Sequence, residues 1–286
     1  MEVVSSVDEL RSLLGQARCE GRRVGFVATM GSLHAGHASL MQAARVNELV
    51  VASVFVNPLQ FGADEDFDAY PRDLDADCAT AEGAGVDVVF APDVAEIYPT
   101  PMATVVSVPS LASQWEGTVR PGHFDGMAAV VTKLLSIVGP CSAYFGEKDF
   151  QQLQIVRRVV NDLSLPVEVI GCPTIREADG LALSSRNSYL TPAERSAAVV
   201  LRAALDHGID LVVDGERDPA RIADRMAEMI RGEPLAQLDY ATVVRAGDLV
   251  VPSRLAGAVR LLVAARFGTT RLIDNDGLLL GGSEAS

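Results

Sequence analysis

The sequence predicts an α/β protein in which a Rossmann-like parallel sheet domain is followed by a second, smaller α+β domain. Short apolar segments rich in β-branched residues alternate with helical segments as far as Pro173. Strands that are apolar throughout are typical of a parallel sheet covered on both faces. After Pro173 the pattern changes to two helices followed by three apolar strands. We therefore expect one domain over residues 1–175 and another over residues 176–286.

The first domain begins with a βαβ unit. Its strands are expected at Arg23 to Ala28 and at Leu49 to Val56, with a helical segment from Gly36 to Asn47 between them. The later elements are expected, in chain order, as a helix near Asp73 to Glu82, a strand at Val86 to Ala91, a helix near Asp125 to Val138, a strand at Ala143 to Phe145, a helix from about Asp149 to Leu163 and a strand from Pro166 to Gly171. Ligands of such sheets bind beyond the carboxyl ends of the strands. Motifs at those ends are therefore the candidate site.

The second domain opens with a capping box, Thr191-Pro192-Ala193-Glu194, which predicts a long helix toward His207. A second helix is expected to start at Asp218-Pro219 and to stop before Gly232. The three apolar strands are expected at Leu238 to Arg245, Val259 to Ala265 and Thr270 to Asp274.

Composition and charge exclude several classes of protein. The 286 residues are 49% hydrophobic and 22% charged, and no segment approaches the roughly 20 uninterrupted apolar residues of a membrane-spanning helix. A formal net charge of −14 without a basic patch argues against nucleic acid and anionic membranes as partners. Met1 to Leu14 lacks the residue order of a secretory signal, so a cytoplasmic location is expected. The four scattered cysteines predict reduced, buried thiols.

The first chemical motif is Thr29-Met30-Gly31-Ser32-Leu33-His34-Ala35-Gly36-His37, which follows a predicted strand and enters a helix. Glycine lets the backbone approach a ligand, and a helix N-terminus offers N–H groups to an anion. His34 and His37 are three residues apart, so both imidazoles can face one ligand and donate hydrogen bonds to phosphate. A chance pair on a solvated turn, or half of a zinc site, would show the same spacing. The strand, glycine turn and helix favour nucleotide binding.

Two further segments carry polar residues beside predicted elements. Asn57 and Gln60 follow the second strand, and the Gln60 amide can read a hydroxyl and a carboxylate together. Taken alone, both residues are more typical of a turn. Arg120 and His123 introduce an apolar helix, where an Arg-x-x-His pair is by default a surface loop.

A fourth motif is Phe145-Gly146-Glu147-Lys148-Asp149-Phe150-Gln151-Gln152, again a strand, a glycine and a helix. Lys148 is one of only two lysines in the chain, and an ammonium on a flexible stem can follow phosphate oxygens through a reaction. Asp149 suits a ribose hydroxyl or a helix cap, and Gln152 would face the same cleft one turn later. An ordinary charged helix terminus is the alternative.

A fifth motif, Leu183-Ser184-Ser185-Arg186, lies near the domain boundary and offers a compact set of donors for a triphosphate. A Ser-Ser-Arg run also occurs by chance. Asp77 could approach a metal ion, although an acidic helix N-terminus explains it equally well.

Together these motifs resemble the pantothenate synthetase family of the nucleotidyltransferase superfamily. The similarity covers the His-x-Gly-His signature, the Phe-Gly-Glu-Lys-Asp block, the Ser-Ser-Arg loop and the ending from Leu262 to Asn275. The chain departs from the usual family pattern at Ala28, Ser32, Ala35, Gly122 and Leu183. The change at Ala28 removes a proline and with it a fixed φ angle.

The resemblance implies an ATP-dependent ligase that condenses (R)-pantoate with β-alanine through a pantoyl adenylate, with release of AMP and pyrophosphate. It implies that the smaller domain closes over the site. His34, His37 and Lys148 are implied as catalytic residues. The implied contacts of pantoate or β-alanine are Gln60, Gln152, Asn57, Tyr70, Arg120 and His123. The implied ATP contacts are Met30, Gly31, Ser32, Leu33, His34, Ala35, Gly36, His37, Gly146, Glu147, Lys148, Asp149, Ile175, Leu183, Ser184, Ser185 and Arg186.

The resemblance also implies Mg²⁺ accompanying ATP, held mostly by phosphate oxygens and water rather than by a protein metal site. A homodimer is expected from the family and from the apolar run that begins at Leu49 and continues to Phe61.

Three rival classes predict other features. An adenylyltransferase would share the first and fifth motifs but release no AMP. A nucleotide sensor or a tRNA-binding module would lose the paired histidines or gain a basic face, and the sequence does neither. A nicotinamide-dependent dehydrogenase would carry Gly-x-Gly-x-x-Gly after a strand, and this motif is absent from the sequence.

Overall fold

The computed structural model describes residues 1–61, 67 and 70–281. These residues form two compact units, one of residues 1–147 and 151–173, the other of residues 148–150 and the chain from 174 onward. The sequence-based boundary after residue 175 falls two residues into the second unit. A single boundary along the chain cannot assign residues 148–150 correctly, because they group with the second unit although residues of the first unit flank them on both sides.

A six-stranded parallel sheet forms the centre of the first unit. Its strands are β1 (Glu2–Val4), β2 (Val24–Thr29), β3 (Leu49–Val54), β4 (Val88–Phe90), β5 (Cys141–Gly146) and β6 (Val167–Cys172). The spatial order is β1-β4-β3-β2-β5-β6, and every pairing is parallel. The sheet confirms the expected fold class.

The helices of this unit are α1 (Val7–Cys19), α2 (Ala35–Ala44), α3 (Leu74–Gly83), α4 (Val94–Ile97), α5 (Pro109–Ala112), α6 (Glu116–Val119), α7 (His123–Val138) and α8 (Phe150–Asp162). Helices α2 and α3 bury Met41, Ala44 and Ala81 against Val27 and Val50 of the sheet. Helix α1, which packs against α7, begins with a capping box between Ser6 and Glu9 that the sequence analysis does not predict.

Strand β2 lies where the strand order changes direction. It pairs with β3 on one side and with β5 on the other, although the chain visits β3 and β4 before it returns to β5. Ligands of open parallel sheets bind at such a point, beyond the carboxyl ends of the strands. Here the carboxyl ends are Thr29 on β2, Val54 on β3 and Gly146 on β5.

The second unit is an α+β arrangement with an antiparallel sheet. Its helices are α9 (Pro192–Ala197), α10 (Val200–Val213) and α11 (Pro219–Arg231), and its strands are β7 (Ala236–Arg245), β8 (Gly257–Phe267) and β9 (Thr270–Leu280), in spatial order β7-β8-β9. Its core packs Leu201, Leu205 and Met226 from the helices against Leu261 and Val263 of β8.

Two expectations about the elements are wrong. The helix predicted from Thr191 toward His207 is two helices, because the chain turns at Ala198 and the backbone N–H of Leu201 donates to the Ala198 carbonyl three residues earlier. Strand β9 continues to Leu280, since its full length pairs with β8. The first part of the apolar run that begins at Leu49 forms β3, which is buried between β4 and β2, whereas Leu59 in its last part is exposed.

The cysteine expectation is partly wrong. All four cysteines are free thiols, but Cys19 is exposed and only Cys172 is fully buried. Burial raises the pKa of the Cys141 thiol to about 12.

Candidate functional site

The loop after β2, residues 30–34, is held by a carboxylate from α3. Asp77 Oδ1 accepts from the backbone N–H of Leu33 at 2.7 Å, and Asp77 Oδ2 accepts from that of Ser32 at 3.1 Å. Gly31 has φ +82°, and a Cβ there would lie 2.7 Å from Asp77 Oδ2. The loop therefore needs glycine at this position, for its backbone angle and for its space. Ser32 also adopts a positive φ of 52°, which costs a residue with a side chain some strain.

The two histidines stand at the N-terminus of α2 with defined hydrogen-bonding roles. His34 Nδ1 accepts from the backbone N–H of Gly36 at 3.1 Å, and His37 Nδ1 accepts from the backbone N–H of His34 at 3.3 Å. The ring centroids lie 4.1 Å apart. An Nδ1 atom that accepts carries no hydrogen, so each neutral ring carries its hydrogen on Nε2 and donates from that atom.

Gln60, in the 3-10 turn Pro58–Gln60 after β3, is buried and oriented by Asn57. Asn57 Nδ2 donates to Gln60 Oε1 at 3.1 Å, and Gln60 Nε2 lies 2.7 Å from the Met30 sulfur. The Asn57 amide is itself held, because its oxygen accepts from the Tyr98 hydroxyl at 2.9 Å. Burial raises the pKa of Tyr98 to about 12, so this hydroxyl keeps its proton at neutral pH. Asn57 thus positions Gln60 beside the carboxyl end of β2.

Arg120 and His123 form a chain of hydrogen bonds that ends on the backbone of Gln60. Arg120 Nη1 lies 3.0 Å from His123 Nε2, and His123 Nδ1 lies 2.9 Å from the Gln60 carbonyl oxygen. A guanidinium only donates, so His123 Nε2 accepts and His123 Nδ1 donates to the carbonyl. The turn also packs against α7, where a Cβ at Gly126 would lie 1.9 Å from the Leu59 carbonyl oxygen. Arg120 and His123 are therefore hydrogen-bonded to the turn that holds Gln60, and both remain partly exposed.

Two other predicted substrate contacts lie elsewhere in this unit. The Tyr70 ring packs edge-on against Phe61, with centroids 5.8 Å apart. Gln152, on the first turn of α8, is partly exposed. Its neighbour Gln151 is buried, and its amide bonds the backbone of Leu111 at 2.7 Å and of Gln114 at 2.8 Å. Gln151 is thus a structural residue, whereas Gln152 is not buried.

The end of β5 leads into the 3-10 turn Glu147–Asp149. A Cβ at Gly146 would meet no atom of the described residues within 4 Å, its two chain neighbours apart. Lys148 belongs to the second unit; its side chain is 18% exposed, and Nζ lies 3.8 Å from Asp149 Oδ1.

In the second unit, the predicted ATP contacts Ile175 and Leu183 are neighbours. The backbone N–H of Leu183 donates to the Ile175 carbonyl at 2.9 Å, and a bridge between Arg176 and Ala182 continues this pairing. Ser184 then caps the 3-10 turn Ser185–Tyr189, and its hydroxyl accepts from the Arg186 backbone N–H at 3.3 Å. Ile175 and Leu183, eight residues apart in the sequence, are thus paired next to Ser184-Ser185-Arg186.

The sequence analysis misses the roles of Asp77 and Tyr98. Asp77 lies in the first turn of α3, but its two oxygens bind the loop amides, so neither interpretation given for it describes these contacts. No sequence signal connects Asp77 to Leu33, which lies 44 residues away. Tyr98 stands 41 residues from Asn57 and is equally unpredictable.

The described residues contain neither a metal-binding cluster of acidic, histidine and cysteine side chains nor a membrane-spanning helix. Within residues 1–61, 67 and 70–281, no group of three or more histidine, cysteine, aspartate or glutamate side chains is arranged to hold a metal ion. In the same part of the chain, no helix has both the length and the apolarity required to cross a bilayer.

Comparisons with known proteins identify one family. A sequence model described as "Pantoate-beta-alanine ligase" matches residues 2–276. The chain is 53% identical over 277 residues to the pantothenate synthetase of Sinorhizobium medicae, which covers 96% of this chain and 95% of that protein. It is 52% identical over 278 residues to the pantothenate synthetase of Agrobacterium fabrum, again over 96% and 95% of the two chains.

Solved structures agree with these relatives. The pantothenate synthetase of Thermus thermophilus superimposes with a TM-score of 0.90 at 50% identity, over 96% of this chain and 99% of the other. The pantoate-beta-alanine ligase of Francisella tularensis, solved in complex with beta-gamma ATP and beta-alanine, gives a TM-score of 0.78 at 33% identity, over 96% and 97%.

Proposed function

The chain belongs to the pantoate–β-alanine ligase family and condenses pantoate with β-alanine at the expense of ATP, and we propose the residue roles by which it does so. The observation that carries the proposal is the histidine pair, whose two Nε2–H donors stand where β2 ends and α2 begins. This is the point of a parallel sheet at which a nucleotide binds.

The reaction proceeds in two steps. A carboxylate is inert toward an amine near neutral pH, so the pantoate carboxylate first attacks the α-phosphorus of ATP. A phosphorus–oxygen bond forms to pantoate, the bond to the β-phosphate breaks, and pyrophosphate leaves. The β-alanine amine then attacks the acyl carbon of pantoyl adenylate, forms the amide, loses a proton and expels AMP.

His34 and His37 stabilise the first step. Negative charge grows on the phosphate oxygens as pyrophosphate departs, and preorganised donors lower the energy of that transition state. Neither imidazole ring has to reorient to stabilise the transition state, because each Nδ1 already accepts a hydrogen bond from a backbone N–H of the same turn. The amides of Ser32 and Leu33 stay with Asp77 and fix the loop instead of binding phosphate.

Gln60 binds pantoate through its amide. The hydrogen bond from Asn57 to Oε1 holds the amide orientation, and the chain from Arg120 through His123 holds the backbone. We propose that Asn57, Arg120 and His123 act on pantoate through Gln60. Gln152 is the second pantoate residue that we propose, because this residue is partly exposed whereas the Gln151 amide is hydrogen-bonded to the backbone of Leu111 and Gln114. A role for Tyr70 rests on the family resemblance.

The remaining ATP contacts follow the family pattern. We propose that Lys148 neutralises charge on the transferring phosphates and that Asp149 binds the ribose. Ile175, Leu183, Ser184, Ser185 and Arg186 are proposed ATP contacts of the second unit. Space around Gly146 supports close approach of the nucleotide to that backbone.

Magnesium enters with ATP as part of the substrate complex, because phosphate oxygens and water are the ligands that Mg²⁺ prefers. Asp77 is not a proposed ligand; we propose instead that its carboxylate holds the loop through the backbone amides of Ser32 and Leu33. We also propose a cytoplasmic homodimer. The family supports the dimer, and the part of the apolar run that forms β3 is buried within the sheet. Light scattering at micromolar concentration that shows a monomer would refute the dimer.

Labelled pyrophosphate and oxygen-18 test the two-step reaction. Label should exchange into ATP when pantoate is present and β-alanine is absent, and AMP should appear once β-alanine is added. Oxygen-18 in the pantoate carboxylate should reach AMP, because the acyl adenylate passes one labelled oxygen to it. An adenylyltransferase would exchange pyrophosphate but release no AMP. Exchange that requires β-alanine, or unlabelled AMP from a pantothenate-forming reaction, would rule out the intermediate.

A further inference from the structure

Strand β9 of the second unit carries two buried polar residues in succession, Asp274 and Asn275. Successive side chains on a strand point to opposite faces of the sheet, so these two residues serve different partners. Asp274 accepts two hydrogen bonds from Arg176, at 2.6 and 3.0 Å, and its side chain is only 1% exposed. This ion pair anchors the segment that leads to Ser184.

Asn275 connects β9 to the backbone of Lys148. Its side-chain Nδ2 donates to the Lys148 carbonyl oxygen at 2.7 Å, across 127 residues of sequence. Arg260 Nε donates to Asn275 Oδ1 at 2.7 Å. A guanidinium has no acceptor, so the oxygen end of the amide faces Arg260 and the donor end faces Lys148.

The same arginine holds the next turn of the chain. The Arg260 guanidinium carbon lies 4.3 Å from the centroid of the Phe150 ring, within the range of a cation–π contact. Arg260 and Asn275 lie on the adjacent strands β8 and β9. Two residues of the antiparallel sheet therefore bind both ends of the tripeptide Lys148–Phe150, which explains why this tripeptide groups with the second unit.

We propose that Asn275 is a positioning residue for Lys148 in the adenylation step. A lysine side chain has four rotatable carbon–carbon bonds, and its reach is defined only when its backbone is held. The hydrogen bond from Asn275 to the Lys148 carbonyl supplies that restraint. Arg260 keeps the Asn275 amide in the orientation that allows this hydrogen bond to form. The proposal rests on the role proposed above for Lys148.

Asn275→Asp tests the hydrogen bond with little change of shape. The variant keeps an acceptor for Arg260 but turns an oxygen toward the Lys148 carbonyl in place of the donor. We expect the single-turnover adenylation rate to fall by about ten- to a hundredfold, the cost typical of a misplacement near 1 Å, with KM for ATP and pantoate changed by less than about threefold. Asn275→Leu removes the hydrogen bonds to Lys148 and from Arg260 without adding a charge. This variant replaces Asn275→Asp in the test if the aspartate variant does not fold. Asp239→Asn, at a β7 residue of the same sheet that pairs with Arg271, is the control and should keep its rate within about twofold.

A double-mutant cycle separates positioning from a general structural role. If Asn275 acts through Lys148, adding the Asn275 change to Lys148→Ala should lower the rate no further. An equal fall in both backgrounds, or a near-wild-type rate in a folded Asn275 variant, would overturn the proposal. Lys148→Ala alone reports on the premise: if that variant keeps the wild-type adenylation rate, the roles of Lys148 and Asn275 both fail. If Lys148→Ala is slow and the Asn275 variants are fast, only the positioning role fails.

Discussion

The carboxylate of Asp77, on α3, accepts a hydrogen bond of 2.7 Å from the backbone N–H of Leu33, in the loop that enters the histidine pair. The second oxygen accepts from the adjacent amide of Ser32. The shape of the loop before His34 therefore depends on a residue 40 or more positions later in the chain.

Asp77→Asn should slow adenylation by about tenfold or more, because the new amide nitrogen would face a backbone N–H and leave one loop amide without an acceptor. The free energy of unfolding should fall by about 1–3 kcal/mol, the cost of a buried unsatisfied donor. Single-turnover pyrophosphate release and urea unfolding measure the two effects. Asp75→Asn, at an exposed position on the same helix, should change neither. Wild-type adenylation by a folded Asp77→Asn variant would contradict the positioning of the loop.

His37→Ala and Lys148→Ala should each lower the adenylation rate by two orders of magnitude or more, about 3 kcal/mol of lost transition-state stabilisation. Both residues are proposed to stabilise charge that develops on phosphate. Rapid-quench measurements under single-turnover conditions report this step directly. His207→Ala, on α10, is the control and should retain the wild-type rate. Near-wild-type adenylation by either folded variant would remove that residue from the mechanism.

Gly146→Ala should raise KM for ATP by about tenfold or more, which corresponds to about 1.4 kcal/mol of binding free energy, while the stability stays near that of the wild type. Apart from its two chain neighbours, none of the described residues has an atom within 4 Å of the added methyl group, so folding should tolerate it. Initial rates at varied ATP and thermal unfolding give the two quantities. Gly83→Ala also places its methyl group in open space, but at the end of α3, and should leave KM unchanged. Unaltered ATP affinity in Gly146→Ala would show that the nucleotide does not approach this backbone.

The raised pKa of Tyr98 should make the protein less stable at alkaline pH. Burial raises its pKa to about 12, whereas an unfolded tyrosine ionises near 10. The unfolded state then binds fewer protons than the folded state between these values, so the stability contribution is complete below about pH 10 and is lost toward pH 12. Tyr98→Phe should remove a component near pH 12 from the tyrosinate absorbance titration and weaken the alkaline loss of stability. The variant should also raise KM for pantoate, since the Asn57 oxygen loses the shorter of its two hydrogen bonds and keeps only the one from the Leu59 backbone N–H. A titration curve identical to that of the wild type would disprove the assignment to Tyr98.

Local patterns in the sequence predict most elements of the parallel sheet and the positions of its motifs. Strands β2 and β3 are evident as apolar runs, and helix α11 starts at Asp218-Pro219 and ends before Gly232 as expected. These features depend on residues within one or two turns of each other, so propensity and periodicity report them. The break at Ala198 has no glycine or proline to mark it, and only the structure shows it.

The sequence by itself determined which residue types stand after each strand: the histidine pair after β2, Asn57 and Gln60 after β3, and Gly146 with Lys148 at the end of β5. Tertiary structure decided what those residues contact. The order β3-β2-β5 sets which strand ends are adjacent, and Tyr98 orients Asn57 from 41 residues away. Asn275 binds the Lys148 backbone from 127 residues away. A hydrogen bond depends on where two groups meet in space, and separations of this size leave no periodic trace in the chain.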